Sequence, residues 1–185
     1  MQMSNGQCVI FDLDGTLIDS YDTIVDNCRV ALLQITGNIT SFDFSLHKKR
    51  CLESLFQELA TFEHIEYNVL KQAFDQAYSN NYLHKTSLFR TTTAMLDTYR
   101  QKGFSIIVLT NKRQLIAERI CEELLPGKVD CIIGRNGDYA IKNKDNIFKR
   151  FTEMNVDFRQ CVLYIGDTET DAKCAEYLHV PFRRI

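Results

Sequence analysis

Cys8-Val9-Ile10-Phe11-Asp12-Leu13-Asp14-Gly15-Thr16 is the stretch on which the reading of the chain turns. Four apolar residues in an unbroken run fit a strand buried on both faces, and the run stops abruptly at Asp12. Two carboxylates then stand two residues apart where the strand turns, with Gly15 permitting a tight bend. Two anions roughly 4 to 6 Å apart in a partly dry site repel, so both stay ionised only beside a cation or a protonated partner. Oxygen donors of this kind favour magnesium over zinc. A lone aspartate at a strand end commonly caps a turn, but the buried strand before it and the sequence Asp14-Gly15-Thr16 argue for more here.

The same form occurs twice more. Residues 104–109 (FSIIVL) run into Thr110-Asn111, and residues 161–165 (CVLYI) run into Gly166-Asp167. A weaker strand is predicted over 129–133 and a short last one over 180–185. Helical patterns over 93–102, 113–125 and 146–154 separate these strands, so the alternation predicts a parallel α/β sheet. Such sheets bind ligands at the C-terminal ends of their strands, where all three runs deliver polar residues. Asp167 is placed at a strand tip facing the Asp12 loop, and Asp171 falls in the first turn of the following helix, where helix capping is the simpler reading of an acid. The Thr110 hydroxyl and neighbouring N–H groups suit a phosphate oxygen, although Asn111 also fits a helix N-cap. Lys142, after apolar Tyr139-Ala140-Ile141, is placed to supply positive charge.

Residues 19–88 break the alternation. They contain no proline and a single glycine, Gly37, and their apolar residues recur at helical spacing. Ile24, Cys28, Leu32 and Ile35 line one predicted helix; Leu52, Leu55, Phe56 and Leu59 a second; Leu70, Phe74, Ala77 and Tyr78 a third. The stretch therefore reads as a helical insertion between 1–18 and 89–185, and its basic run Lys48-Lys49-Arg50 is the one notable cluster of a single sign. From that loop Lys49 or Arg50 is a candidate for the leaving group of a substrate, against the plainer reading of a solvated helix face.

With 185 residues, 45% hydrophobic, the chain can bury a real core, and a formal net charge of -2 offers no field for nucleic acid or an anionic membrane. Seven cysteines without a CxxC pair fit a reducing cytoplasm. No signal-like leader or spanning apolar run is read, so neither export nor membrane insertion is expected.

In this chain order the four pieces resemble the haloacid dehalogenase superfamily, and most nearly its phosphoglycolate phosphatase and β-phosphoglucomutase branch. Asp12-Leu13-Asp14-Gly15-Thr16 looks like the first motif, Thr110 the second, Lys142 (with Lys144 as runner-up) the third, and Gly166-Asp167 with Asp171 the fourth. The resemblance implies a doubly wound, Rossmann-like core with an all-helical C1 cap inserted after the first motif. It further implies a magnesium-dependent phosphatase of a small phosphate ester, acting as monomer or homodimer. Asp12 would attack phosphorus and form an aspartyl phosphate, while Asp14 protonates the leaving alcohol and later accepts a proton from water. Magnesium would sit on Asp12, Asp167 and the Asp14 carbonyl, with Asp171 orienting that set from behind. Thr110 and Lys142 would position the transferring group, with Asn111 and Thr16 among its binding groups. A phosphomutase of the β-phosphoglucomutase type, or a protein that binds metal and phosphate without turnover, are the alternatives. The family usually continues past the fourth motif with another strand and helix, whereas this chain stops at residue 185, so a shortened sheet edge or an incomplete chain is expected.

Overall fold

A computed structural model of the chain describes residues 6–48, 52–137 and 140–185. The chain divides into two compact units, one formed by residues 1–19 and 87–185, the other by 20–86.

The first unit is built on five parallel strands: β1 (Cys8–Phe11), β4 (Ser105–Arg113), β5 (Cys131–Arg135), β6 (Cys161–Gly166) and β7 (Phe182–Arg184), in the order β5-β4-β1-β6-β7. The chain builds outward from β1 on one side, then returns to build outward on the other. The direction of winding thus reverses between β1 and β6, which opens a crevice at their C-terminal ends. Phe11 lies level with Ile165, and the Asp12 N–H donates to the Ile165 carbonyl at 2.9 Å. The two predicted acid-bearing strand ends therefore lie side by side.

Alternation along each strand divides the core between two faces. Ile10, Ile107, Leu109, Ile133 and Tyr164 pack with Ile147 and Phe151 of α6 (Lys144–Glu153) and with Cys174 and Ala175 of α7 (Glu169–Tyr177). On the other face stand α4 (Thr92–Gln101) and α5 (Gln114–Leu124). There the Phe11 ring meets Tyr99 of α4 edge-on at 5.6 Å. Strand β4 runs four residues beyond the predicted boundary, so Asn111 does not cap a helix: α5 starts at Gln114, with Arg113 in the N-cap position.

A small antiparallel ribbon, β2 (Ile18–Asp19) with β3 (Ser87–Leu88), was not legible from so few residues and shifts the edges of the insertion from 19–88 to 20–86. The second unit contains α1 (Tyr21–Thr36), α2 (Leu52–Phe62) and α3 (Tyr67–Asn81). Helix α1 stops at Gly37, whose φ of 72° lets its N–H return to the Leu33 carbonyl. Phe56 and Phe74 meet edge-on at 4.8 Å in its core. Its two chain ends are tied together by the Thr23 and Thr86 hydroxyls at 3.0 Å and by Lys85 with Asp26 at 2.6 Å. No helix among the described residues is long and apolar enough to cross a membrane.

Candidate active site

Asp12 follows β1 directly, and its side chain is buried. The loop after it folds tightly: the Leu13 carbonyl accepts from the N–H groups of Thr16, Leu17 and Ile18, and the Gly15 N–H donates to Ile18. Gly15 has a φ of 86°, and a Cβ there would stand 2.4 Å from Asp167 Oδ2. A side chain at 15 would thus occupy the space of the Asp167 carboxylate. Gly166 performs the same service one strand over, since its Cβ would fall 2.6 Å from the Asp171 side chain. Gly15 thus lets the β1 loop close on the β6 loop, while Gly166 lets the β6 loop fold back against the first turn of α7.

Asp12, Asp167 and Asp171 each bring an oxygen into a group spanning no more than 4.8 Å. Into this cluster comes Lys142. Its ammonium contacts Asp12 Oδ1 and lies 2.6 Å from Asp171 Oδ1, with the lysine side chain only 6% exposed. Lys144, the other candidate, opens α6 and is exposed. The loop carrying Lys142 is held by Asn111, whose Oδ1 accepts from the N–H groups of Ile141 at 2.9 Å and Lys142 at 3.0 Å. Asn111, expected among the phosphate-binding groups, uses its Oδ1 to brace the lysine loop.

Asp171 also departs from a simple metal ligand. Its Oδ1 accepts from Lys142 and from the Tyr164 hydroxyl at 3.0 Å, and its Oδ2 accepts from the Thr168 N–H at 3.0 Å and hydroxyl at 2.5 Å. Those four donors match the lone-pair capacity of an ionised carboxylate. Asp171 therefore acts on the cluster by holding Lys142. Thr168 and Asp171 also form the reciprocal cap that starts α7, so capping and site building are one arrangement. Thr16 is buried and turns its hydroxyl toward Asp167 Oδ1 at 3.4 Å, rather than toward open space. The buried Thr110 hydroxyl accepts from the Lys112 N–H at 3.1 Å, which leaves its proton for an oxyanion. Lys49 and Arg50 lie outside the described residues.

Two participants were not read from the sequence. Tyr164 reads there only as part of the apolar run 161–165, and Lys112 is not singled out. Yet Lys112 Nζ lies 3.0 Å from Asp14 Oδ1, with the lysine side chain 8% exposed. For Lys112 the only available signal was its place two residues past Thr110.

Electrostatics follow from the packing. Burial, the largest effect, pushes the Asp12 carboxyl up to about 7; Lys142 pulls it down, while the negative charges of Asp171 and Asp14 push it up. Burial and then Asp171 also raise Asp167. Burial alone would raise Asp171, but Lys142 and the Thr168 hydrogen bonds outweigh it and hold that carboxyl low. For Lys142 burial opposes the charge, and the two flanking carboxylates more than offset it, so its ammonium is held charged. Among the described residues four carboxylates (Asp12, Asp14, Asp167, Asp171) stand with two ammonium groups (Lys112, Lys142), an excess of negative charge at an oxygen-only donor set. That set fits a hard divalent cation on Asp12 and Asp167.

Comparison with known proteins agrees with this geometry. The haloacid dehalogenase-like hydrolase family matches residues 9–185, and the chain belongs to it. It is 25% identical over 175 residues to a phosphoglycolate phosphatase of Aquifex aeolicus, spanning 91% of this chain and 79% of that one. It is 26% identical over 167 residues to the tyrosine-protein kinase PtkA of Mycobacterium tuberculosis, spanning 89% of this chain but 57% of that protein. The solved structure of a haloacid dehalogenase-like family hydrolase from Streptococcus pneumoniae superposes with a TM-score of 0.77 at 21% identity, covering 97% of this chain and 84% of that one, a likeness of fold.

Proposed function

We propose that the protein is a magnesium-dependent phosphatase of a small-molecule phosphomonoester, with Asp12 as nucleophile and Asp14 as general acid and base. The observation that carries this reading is the convergence of Asp12, Asp167 and Lys142 at the point where the sheet reverses its winding, with Asp14 on the loop after β1 and Thr110 near the end of β4. Asp12 and Asp167 would hold the magnesium ion, with the Asp14 carbonyl as a third donor; when bound it neutralises phosphate charge.

Asp12 then forms a bond to phosphorus as the bond to the leaving oxygen breaks, and the proton on Asp14 passes to that oxygen. In the second half Asp14 takes a proton from the water that cleaves the aspartyl phosphate. Lys142, held by Asp171 and Tyr164, keeps positive charge beside the nucleophile, and the Thr110 hydroxyl donates to a phosphoryl oxygen. The family relationship and the Aquifex phosphoglycolate phosphatase support the hydrolytic assignment, and the helical unit 20–86 is proposed as the cap that selects the leaving group.

Phosphate release from p-nitrophenyl phosphate, with and without magnesium, is the direct test. Asp12→Asn is expected to lower kcat by at least roughly 10³-fold. Release without need of a divalent ion, or undiminished turnover by the variant, would defeat the proposal. The PtkA relationship raises a second reading, transfer to a hydroxyl acceptor in place of water. Turnover in ¹⁸O-water decides between them, since hydrolysis places the label in released phosphate and transfer does not.

A further inference from the structure

We infer that Lys112 is a positioning residue which, from a locked bulge in β4, holds the Asp14 carboxylate in register for proton transfer. The inference rests on the role proposed above for Asp14 and deepens it.

The bulge comes first. Leu109 lies level with Ile133, yet Arg113 lies level with Arg135, so Thr110, Asn111 and Lys112 together face the single residue Gly134. That crowding is possible because Gly134 lacks a side chain. A Cβ there would stand 2.7 Å from Gln114 Cα and 2.9 Å from the Lys112 carbonyl oxygen. A buried clasp fixes the distorted segment. Gln114 Oε1 accepts from the Gly134 N–H at 2.7 Å, and its Nε2 donates to the Ile132 carbonyl at 2.9 Å. The buried Arg150 donates through Nε to the Gly134 carbonyl at 2.8 Å and through Nη2 to Gln114 Oε1 at 2.9 Å. On the other side, the Lys112 N–H is held by the Thr110 hydroxyl.

A lysine near the end of a strand ordinarily keeps its ammonium in water. Here the side chain is 8% exposed while its partner Asp14 is 30% exposed, and Nζ to Oδ1 is 3.0 Å. The lysine is thus the more deeply buried member of the pair and the carboxylate the more exposed. Asp14 sits on a turn, where rotation of its carboxyl group would carry the reactive oxygen away from the leaving group. An error of about 1 Å in such a group costs on the order of 100-fold in rate.

By engaging Oδ1, Lys112 fixes the orientation of the carboxyl group that carries the transferable proton. In the first transfer that proton moves from Asp14 to the oxygen released from phosphorus, as the Asp12 oxygen forms its bond to phosphorus. Lys112 keeps its own proton throughout. It acts through Asp14, so its removal should be felt only where that proton is needed.

Two esters separate the cases. Phenyl phosphate needs protonation of its leaving oxygen, and 2,4-dinitrophenyl phosphate does not. For Lys112→Met we expect kcat/KM with phenyl phosphate to fall roughly 30-fold, and with the dinitrophenyl ester by less than about 3-fold. In the Asp14→Asn background the same substitution should cost nothing further with either ester. Lys112→Arg should recover part of the loss. Thermal midpoints measured without metal should stay within about 3 °C of the parent, marking the effect as positional. Equal losses with both esters, or a full further loss in the Asp14→Asn background, would overturn the inference. Should Lys112→Met fail to fold, Lys112→Gln carries the same comparison with the same two outcomes. A parent protein that releases no phosphate from either ester with magnesium defeats the phosphatase reading. An active parent whose Lys112 variants behave like it defeats this inference alone.

Discussion

The two ends of the central strands handle polarity in opposite ways. At the N-terminal end, Cys8 faces Cys161 across β1 and β6 with their sulfurs 3.3 Å apart, buried thiols that satisfy each other. The charges near that end stay near water: Arg100 and Asp130 pair at 3.0 Å with side chains 36% and 34% exposed. At the C-terminal end, Lys142 and Asp12 pair with both side chains 6% exposed. Burying ions costs several kcal/mol each unless they are fully partnered, whereas a thiol is buried readily. Of these two ends, the C-terminal one carries the costly desolvation, and there the fold holds charged groups ready for chemistry.

The comparison is broken hardest at Asp171. Asp171→Ala would take from the Lys142 ammonium one of its two carboxylate partners, and would leave the Tyr164 hydroxyl and the Thr168 cap without this acceptor. A loss of about 3 to 5 kcal/mol in urea unfolding is expected, together with a fall in kcat of at least about 100-fold.

Next in size is a pH effect confined to the charged edge. Folded Asp12 has its pKa raised from 3.8 to about 7, so the native state holds that proton more tightly than the unfolded chain does. Without metal, this group's stabilising contribution is fully present below pH 3.8 and is lost as pH rises through about 7. On the function proposed above, magnesium would have to displace the same proton. Its apparent affinity, read as the shift in thermal midpoint on titration, should be about tenfold weaker at pH 6 than at pH 8 or above. A shift independent of pH would separate Asp12 from the metal.

The smallest effect belongs to the thiol edge. Cys8→Ala should cost about 1 to 2 kcal/mol in urea unfolding and leave kcat for p-nitrophenyl phosphate unchanged. A fall in kcat there would mean that the two ends are coupled.

The same contrast explains what the sequence could disclose. Runs such as 8–11 and 161–165 announce buried strands because their apolar residues are contiguous, and the acids that end them stand out for that reason. Lys142 carried no signal beyond its position in the chain order of the family's motifs. Asn111 looked like a helix cap because the strand before it was read as ending at Leu109, and nothing in a linear pattern shows that Gly134, on a neighbouring strand, lets β4 continue as a bulge. Lys112 and Tyr164 were passed over for the same reason: their partners, Asp14 and Asp171, are chosen by backbone geometry across elements. The helices of the insertion were legible from their 3.6-residue periodicity, while a ribbon with two residues per strand falls below any periodic signal.

That ribbon has an evolutionary reading. Because Asp19 and Ser87 are directly paired, the chain departs from and rejoins the α/β framework at two neighbouring points. A short hairpin turn would bridge the same gap, so the length and composition of the whole interval can be rewritten while the register of the framework stays as it is.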